Sequence, residues 1–124
     1  MDKLDDIFRL QKAFNDDLIA RRKLEGITAD EWIQKYMLAM LSEMAELLDE
    51  VNFKWWKDKK PVDLPAAKEE LVDILHFFVS MCIKLEMTSD ELHAIYVQKN
   101  RENFSRQQGG SNKPGYRSDG PQNL

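Results

Sequence analysis

A chain of 124 residues is the size of one ordinary domain, and 32% charged with 43% hydrophobic residues is the balance of a globular fold, not of a disordered or membrane-embedded chain. The net charge of -4 lacks the excess of Lys and Arg that nucleic-acid phosphates reward, so no nucleic-acid partner is expected. With four prolines and five glycines, long stretches are free of helix breakers.

The first such stretch, residues 4–18, repeats Leu4, Ile7, Phe8, Phe14 and Leu18 at helical spacing and carries Gln11 and Asn15 on the same face. Gly26 interrupts it. Thr28-Ala29-Asp30-Glu31 then reads as a capping box, in which the Thr28 hydroxyl and the Glu31 carboxylate satisfy each other's backbone donors, so a second helix begins near Ala29. Ile33, Met37, Met40, Met44, Leu47 and Val51 alternate spacings of four and three, which predicts a core-facing stripe running to about Phe53. After the charged loop Lys57-Asp58-Lys59-Lys60-Pro61, Pro65 suits the first turn of a third helix. From 71 to 85 that helix is apolar on nearly every side and must be covered all round, by its own bundle or by a second subunit. Thr88-Ser89-Asp90-Glu91 repeats the capping pattern and opens a fourth helix carrying Leu92, Ile95, Tyr96 and Phe104.

The single cysteine, Cys82, sits in this apolar run with no second Cys for a disulfide or zinc site, and reads as a buried structural thiol. Residues 1–6 have neither the basic lead nor the apolar run of a secretory signal. The most apolar window, residues 71–83, is broken by Asp73, His76 and Ser80 and falls short of the roughly 20 residues that span a bilayer. The expected location is the cytoplasm, with no membrane partner.

Chemistry concentrates on the second and third helices. Glu43, Glu46 and Glu50 are three and four apart and share one narrow strip beside the apolar stripe, while Glu70 and Asp73 are three apart at the start of the most apolar helix. Carboxylates that approach in a partly dehydrated space repel, and each must take up a proton or share a cation. An oxygen-only set suits a hard ion such as Mg²⁺, which also binds substrate phosphates. The bland alternative is a solvated acidic helix edge. A di-iron site would need two Glu-x-x-His units, and only one comparable spacing, Asp73-x-x-His76, is present.

Glu43-x-x-Glu46 followed by Glu70-x-x-Asp73 resembles the motif of the all-α nucleoside triphosphate pyrophosphatases, the MazG-like and dimeric dUTPase superfamily. Phe53-Lys54-Trp55-Trp56-Lys57, directly after the glutamate helix, looks like a segment of the dimeric dUTPases, and residues 99–116 are similar to their C-terminal substrate-binding region. The resemblance implies Mg²⁺ held by Glu43, Glu46, Glu70 and Asp73, and cleavage of dUTP between its α- and β-phosphates by a water that Glu46 or Glu43 orients and deprotonates. It also implies that Gln11, Asn15, Trp56 and His76 surround the base and deoxyribose, and that Lys54, Lys57, Lys99, Asn100, Asn103, Arg106, Lys113 and Tyr116 meet the phosphates. The amides of Gln11 and Asn15 suit that role on chemical grounds, since an amide matches the donor and acceptor edge of a pyrimidine. His76 reads equally as a satisfied core histidine, and Lys99, Asn100 and Asn103 as a solvated helix face.

The expected fold is an all-α antiparallel four-helix bundle of the MazG-like/dimeric dUTPase type over residues 1–107, assembled as a homodimer, with a flexible tail over 108–124 that closes over substrate phosphates. Two rival readings are a MazG-like pyrophosphatase for another or noncanonical nucleotide, and a non-catalytic helical module whose acidic edge binds a basic partner.

Overall fold

Asp2 sets the start of helix α1 (Lys3–Arg22): its Oδ1 accepts from the Asp5 N–H at 2.9 Å, and the Asp5 carboxylate accepts from the Asp2 N–H at 3.3 Å. This reciprocal cap, which the sequence reading did not single out, also puts Asp5 and Asp6 at the positive end of the helix dipole. The computed structural model describes residues 1–110 and 114–115, and these contain four α-helices and no strand. Helix α2 (Ala29–Glu50) begins as expected, with Thr28 Oγ1 accepting from the Glu31 N–H at 3.3 Å, one half of the predicted box.

The end of α2 differs from expectation. The apolar repeat runs on to Phe53, yet the helix stops at Glu50 because Asn52 adopts a left-handed conformation, φ 61°, that Asn tolerates better than most residues. The Asn52 amide then clasps the loop: its Nδ2 donates to the Lys60 carbonyl at 2.9 Å and its Oδ1 accepts from the Lys60 N–H at 3.0 Å. Phe53, Lys54, Trp55, Trp56 and Lys57 therefore lie within a pinned loop and not on a helix. Helix α3 (Leu64–Lys84) follows, capped by Asp63, whose Oδ1 accepts from the Ala66 N–H at 3.1 Å, with Pro65 in the first turn.

Helices α2 and α3 pack antiparallel, with Tyr36 against Phe77 at one level and Glu43 and Glu46 beside Glu70 at the other. Trp32 stacks on Tyr36 with ring centroids 5.1 Å apart, and Lys84 Nζ lies 5.3 Å above the Trp32 ring. Helix α1 packs on α3, where Asn15 reaches Ser80. Val79, Ser80 and Cys82 are buried in the middle, and burial pushes the Cys82 thiol pKa up, as an inert structural cysteine requires.

The predicted core stripe of α2 is corrected by one residue. The α2 side chains that meet α3 are Trp32, Tyr36, Glu43 and Glu46, each one residue before Ile33, Met37, Met44 and Leu47 of the predicted stripe. A one-residue slip rotates the face by roughly 100°. The glutamates thus continue the buried aromatic stripe instead of bordering it. On the outer side of the predicted stripe, centred roughly 140° from the face against α3 at 100° per residue, Met37, Leu41, Met44, Leu48 and Val51 are between 44% and 56% exposed. Leu71, Leu75 and Phe78 form an exposed apolar stripe on α3.

Residues 1–88 form one compact unit, and helix α4 (Ser89–Gln107) belongs to a second. Ile95, Tyr96 and Phe104 of α4 are exposed, as are Lys99, Asn100 and Asn103. No helix among the described residues is long and apolar enough to cross a membrane.

Candidate functional site

The slip in stripe delivers three carboxylates to one place. Oxygens of Glu43 and Glu46 on α2 and of Glu70 on α3 all lie within 4.8 Å of one another. Glu43 and Glu70 are half-buried and Glu46 is exposed, so the triangle is closed on the helix side and open on the other. Glu70 Oε2 is shielded from water and receives no hydrogen bond from any described residue. Its polar neighbours are Glu43 and Glu46, and two carboxylates bond only by sharing a proton. Hydrogen bonding to Glu43, then loss of solvent and the charge of Glu46, accordingly raise the Glu70 pKa to about 7 from an ordinary 4.5. A shielded, unpartnered acceptor beside two further carboxylates is a hard-oxygen donor set that fits Mg²⁺.

A cavity of about 270 Å³ adjoins the triangle, lined on α1 by Gln11, Phe14 and Asn15, on α2 by Tyr36 and Glu43, and on α3 by Asp73, His76, Phe77 and Ser80. Asp73 lies outside the close triangle, on the wall shared with Glu43. Glu43 alone belongs to both. The polar groups form one relay: Gln11 Nε2 donates to Asn15 Oδ1 at 2.9 Å, Asn15 Nδ2 donates to Ser80 Oγ at 3.0 Å, and Ser80 Oγ donates to the His76 carbonyl at 2.7 Å. Tyr36 is also hydrogen-bonded to the Ser80 side chain, though burial dominates and pushes its pKa up. Gln11 and Asn15 are both buried. His76 is not a core residue: its exposed side chain lines this cavity and a neighbouring one of about 240 Å³ with Ile7, Leu10, Gln11 and Phe14.

Within residues 1–88, Lys54, Trp56 and Lys57 line neither the triangle nor its cavity. Lys54 and Lys57 line a separate cavity of about 310 Å³ in the clasped loop with Asp49, Asn52 and Lys60, where Lys54 Nζ is 3.7 Å from Asp49. Trp56 packs edge-on between Phe53 and Trp55, and Trp55 is 85% exposed. On α4, Lys99, Asn103 and Arg106 follow one face at spacings of four and three, with Arg106 reaching Asn103 at 3.4 Å and Glu102 at 3.7 Å. Lys113 and Tyr116, with most of the expected tail, lie outside the described residues.

The sequence model of the dUTPase family matches residues 3–91, which span α1 to α3 and every residue of the triangle and its cavity. The chain belongs to the dUTPase family. It is similar to the dCTP pyrophosphatase of Enterobacteria phage T4, 34% identical over 88 residues that cover 60% of this chain and 52% of that protein. The dCTP pyrophosphatase of Enterobacteria phage LZ5 is 41% identical over 61 residues, covering 49% of this chain and 36% of that protein. The chain therefore spans about half or less of the length of these curated relatives. No solved structure matches it.

For a dUTPase-family chain, Phe14, Leu18, Tyr36, Phe77 and Ser80 are the cavity residues that sequence reasoning did not assign to the site. Tyr36 carried a signal: with Trp32 it starts the stripe that, stepped on by three and four, reaches Glu43. Ser80 carried one too, as a lone hydroxyl four residues after His76 inside an apolar run.

Proposed function

We propose that this chain is a Mg²⁺-dependent pyrophosphohydrolase of pyrimidine deoxynucleoside triphosphates, releasing the nucleoside monophosphate and pyrophosphate, and that it works as a homodimer. The observation that carries the reading is the membership of Glu43 in both the carboxylate triangle and the amide-lined cavity, which sets a cation site for phosphates against a pocket for a base. dUTP is the substrate in the family's name and the one the sequence resemblance implies; dCTP is named for the two phage relatives. Both bases have the size and hydrogen-bonding edge that Gln11 and Asn15 suit.

Glu43, Glu46 and Glu70 hold the ion, with Asp73 completing the set from the cavity wall. Bound there, Mg²⁺ supplies charge neutralisation of the phosphates and acidification of water. Glu46, the solvent-facing member, orients the attacking water and takes its proton. Phe14, Tyr36 and Phe77 exclude water from the base. Lys54, Lys57, Lys99, Asn100, Asn103, Arg106, Lys113 and Tyr116 are the candidate phosphate contacts, and the tail is the proposed cover over them.

The test is hydrolysis of dUTP, dCTP, dTTP and modified triphosphates with Mg²⁺ or with chelator. The expected products are a monophosphate and pyrophosphate, formed only with Mg²⁺. Absence of any turnover, together with no thermal shift from Mg²⁺ and a non-hydrolysable triphosphate, would favour a docking module instead.

The exposed apolar stripes of α2 and α3 support the dimer, because contiguous apolar faces of this length are usually covered by a partner. Leu41→Glu, at the middle of the α2 stripe, is expected to give the single-chain mass in sedimentation at micromolar concentration. A dimer unchanged by that charge would show that the stripe is not the interface.

A further inference from the structure

We propose that the loop clasped by Asn52 is the receiving site for the leaving diphosphate. Lys60 is a further contact to that group beside Lys54 and Lys57, and Asn52 is the positioning residue that holds the three lysines around one cavity. The inference rests on the pyrophosphohydrolase reading and gives the reaction a direction across the fold.

The direction comes from the turns of α2. Glu43 lines the base cavity with Tyr36, Glu46 is the exposed member of the triangle, and Asp49 lines the loop cavity. At 100° and 1.5 Å per residue, Glu46 is turned about 60° from Glu43 and lies about 4.5 Å further along the axis, and Asp49 repeats that step in the same sense. One spiral ridge therefore leads from the base cavity through the carboxylates to the lysines. A nucleoside triphosphate has the same order: the base, then the α-phosphate where the reaction occurs, then the two phosphates that leave.

The loop cavity, about 310 Å³, is at the small end of the range for ligand pockets, about 300–1,000 Å³. Lys54, Lys57 and Lys60 line it with Asp49 and Asp58, which leaves an excess of positive charge. The ion pair there, Lys54 Nζ with Asp49 at 3.7 Å, is solvated at both ends and yields readily to a phosphate. Three ammonium groups repel one another, and residues 51–63 contain neither helix nor strand to hold them together. The Asn52 side chain supplies the tie. Its φ of 61° turns the chain out of α2, and its amide exchanges two hydrogen bonds with the backbone of Lys60, at 2.9 and 3.0 Å. Between them the Lys57 N–H donates to the Lys54 carbonyl at 3.1 Å and tightens the segment.

In the reaction the oxygen of water bonds to the α-phosphorus and its proton passes to Glu46. The bond from the α-phosphorus to the bridging oxygen breaks, and its electron pair leaves with the diphosphate. Negative charge grows on that group in the transition state, where ammonium groups already held in place lower the barrier.

The experiment measures kcat for the triphosphate that the wild type hydrolyses and, by calorimetry with Mg²⁺, the Kd of pyrophosphate and of the nucleoside monophosphate product. It compares the wild type with Asn52→Gly, Lys60→Gln and Lys59→Gln. Glycine keeps the left-handed turn without strain and removes the clasp, and Lys59 belongs to the same loop without lining the cavity. Asn52→Gly and Lys60→Gln are each expected to lower kcat and to raise the Kd of pyrophosphate about tenfold, the scale of one lost hydrogen bond to a charged group, with the monophosphate Kd unchanged. Lys59→Gln should leave all three quantities as they are. Pyrophosphate that does not bind the wild type, an equal pyrophosphate Kd in Lys60→Gln and Lys59→Gln, an Asn52→Gly variant that binds pyrophosphate like the wild type, or equal weakening of both products overturns the inference. If Asn52→Gly fails to fold, Asn52→Asp replaces it, since the acid keeps the acceptor for the Lys60 N–H and loses the donor to its carbonyl. No turnover of any triphosphate by the wild type instead overturns the pyrophosphohydrolase reading itself.

Discussion

Glu46→Gln is expected to lower kcat by roughly 10²–10⁴-fold, the range for removing a positioned proton acceptor, while leaving the fold intact. The side chain is exposed and the amide has the same size and shape, so the change costs little packing. It removes the ability to take a proton and one full ligand charge. It also removes a charge that acts on Glu70, so the melting temperature of the metal-free variant should be unchanged or slightly higher. Asp17→Asn, on an exposed surface ion pair of α1, is the control and should change neither quantity. A Glu46→Gln variant that melts like wild type and turns over at the wild-type rate would refute the assignment of Glu46 to the chemistry.

The helices were legible from the chain because their start signals act locally. Thr28, Asp63 and Pro65 satisfy or excuse backbone donors within three residues, which a sequence displays directly. The face of α2 was not legible in the same way. Two stripes with the same four-three spacing lie one residue apart, and the apolar one looked like the core. The protein buries the stripe that holds Trp32 and Tyr36, each of which removes about 150–250 Å² from water, and leaves half of the aliphatic stripe exposed. Aromatic area, more than the count of aliphatic residues, decided the rotation of the helix. The end of α2 was misjudged for a related reason: Asn52 breaks the repeat through a bond to Lys60, eight residues away and outside any helical window.

The site divides along the same line. That Glu43 and Glu46 approach Glu70 could be anticipated, because carboxylates on two helices flanked by apolar residues have few places to go. That Gln11 and Asn15 are buried and hydrogen-bonded to one another could not, because Asn15 is tied down by Ser80, which is 65 residues away in the chain. Lys54 and Lys57 illustrate the reverse limit. Their motif gave no sign that the clasp of Asn52 sets them around a cavity of their own with Asp49.

Glu70→Gln is expected to remove a loss of stability that wild type suffers as pH rises in the absence of metal. A carboxyl with a folded-state pKa of about 7 against an ordinary 4.5 holds its proton more tightly when folded than when unfolded. Below about pH 4.5 it is protonated in both states and contributes nothing. As pH rises from 4.5 through 7 the unfolded chain releases the proton first, so the folded state loses ground, and the full cost is present above 7. Glutamine copies the shape of the protonated acid and has no charge to develop. Metal-free melting temperatures of variant and wild type should therefore coincide near pH 4 and separate in favour of the variant up to about pH 8. Saturating Mg²⁺ should reverse the order at pH 8, because binding to the folded state stabilises only the chain that keeps its third carboxylate. Parallel curves at every pH without metal would mean that the three carboxylates do not strain one another, and a variant stabilised by Mg²⁺ as much as wild type would remove Glu70 from the ligand set.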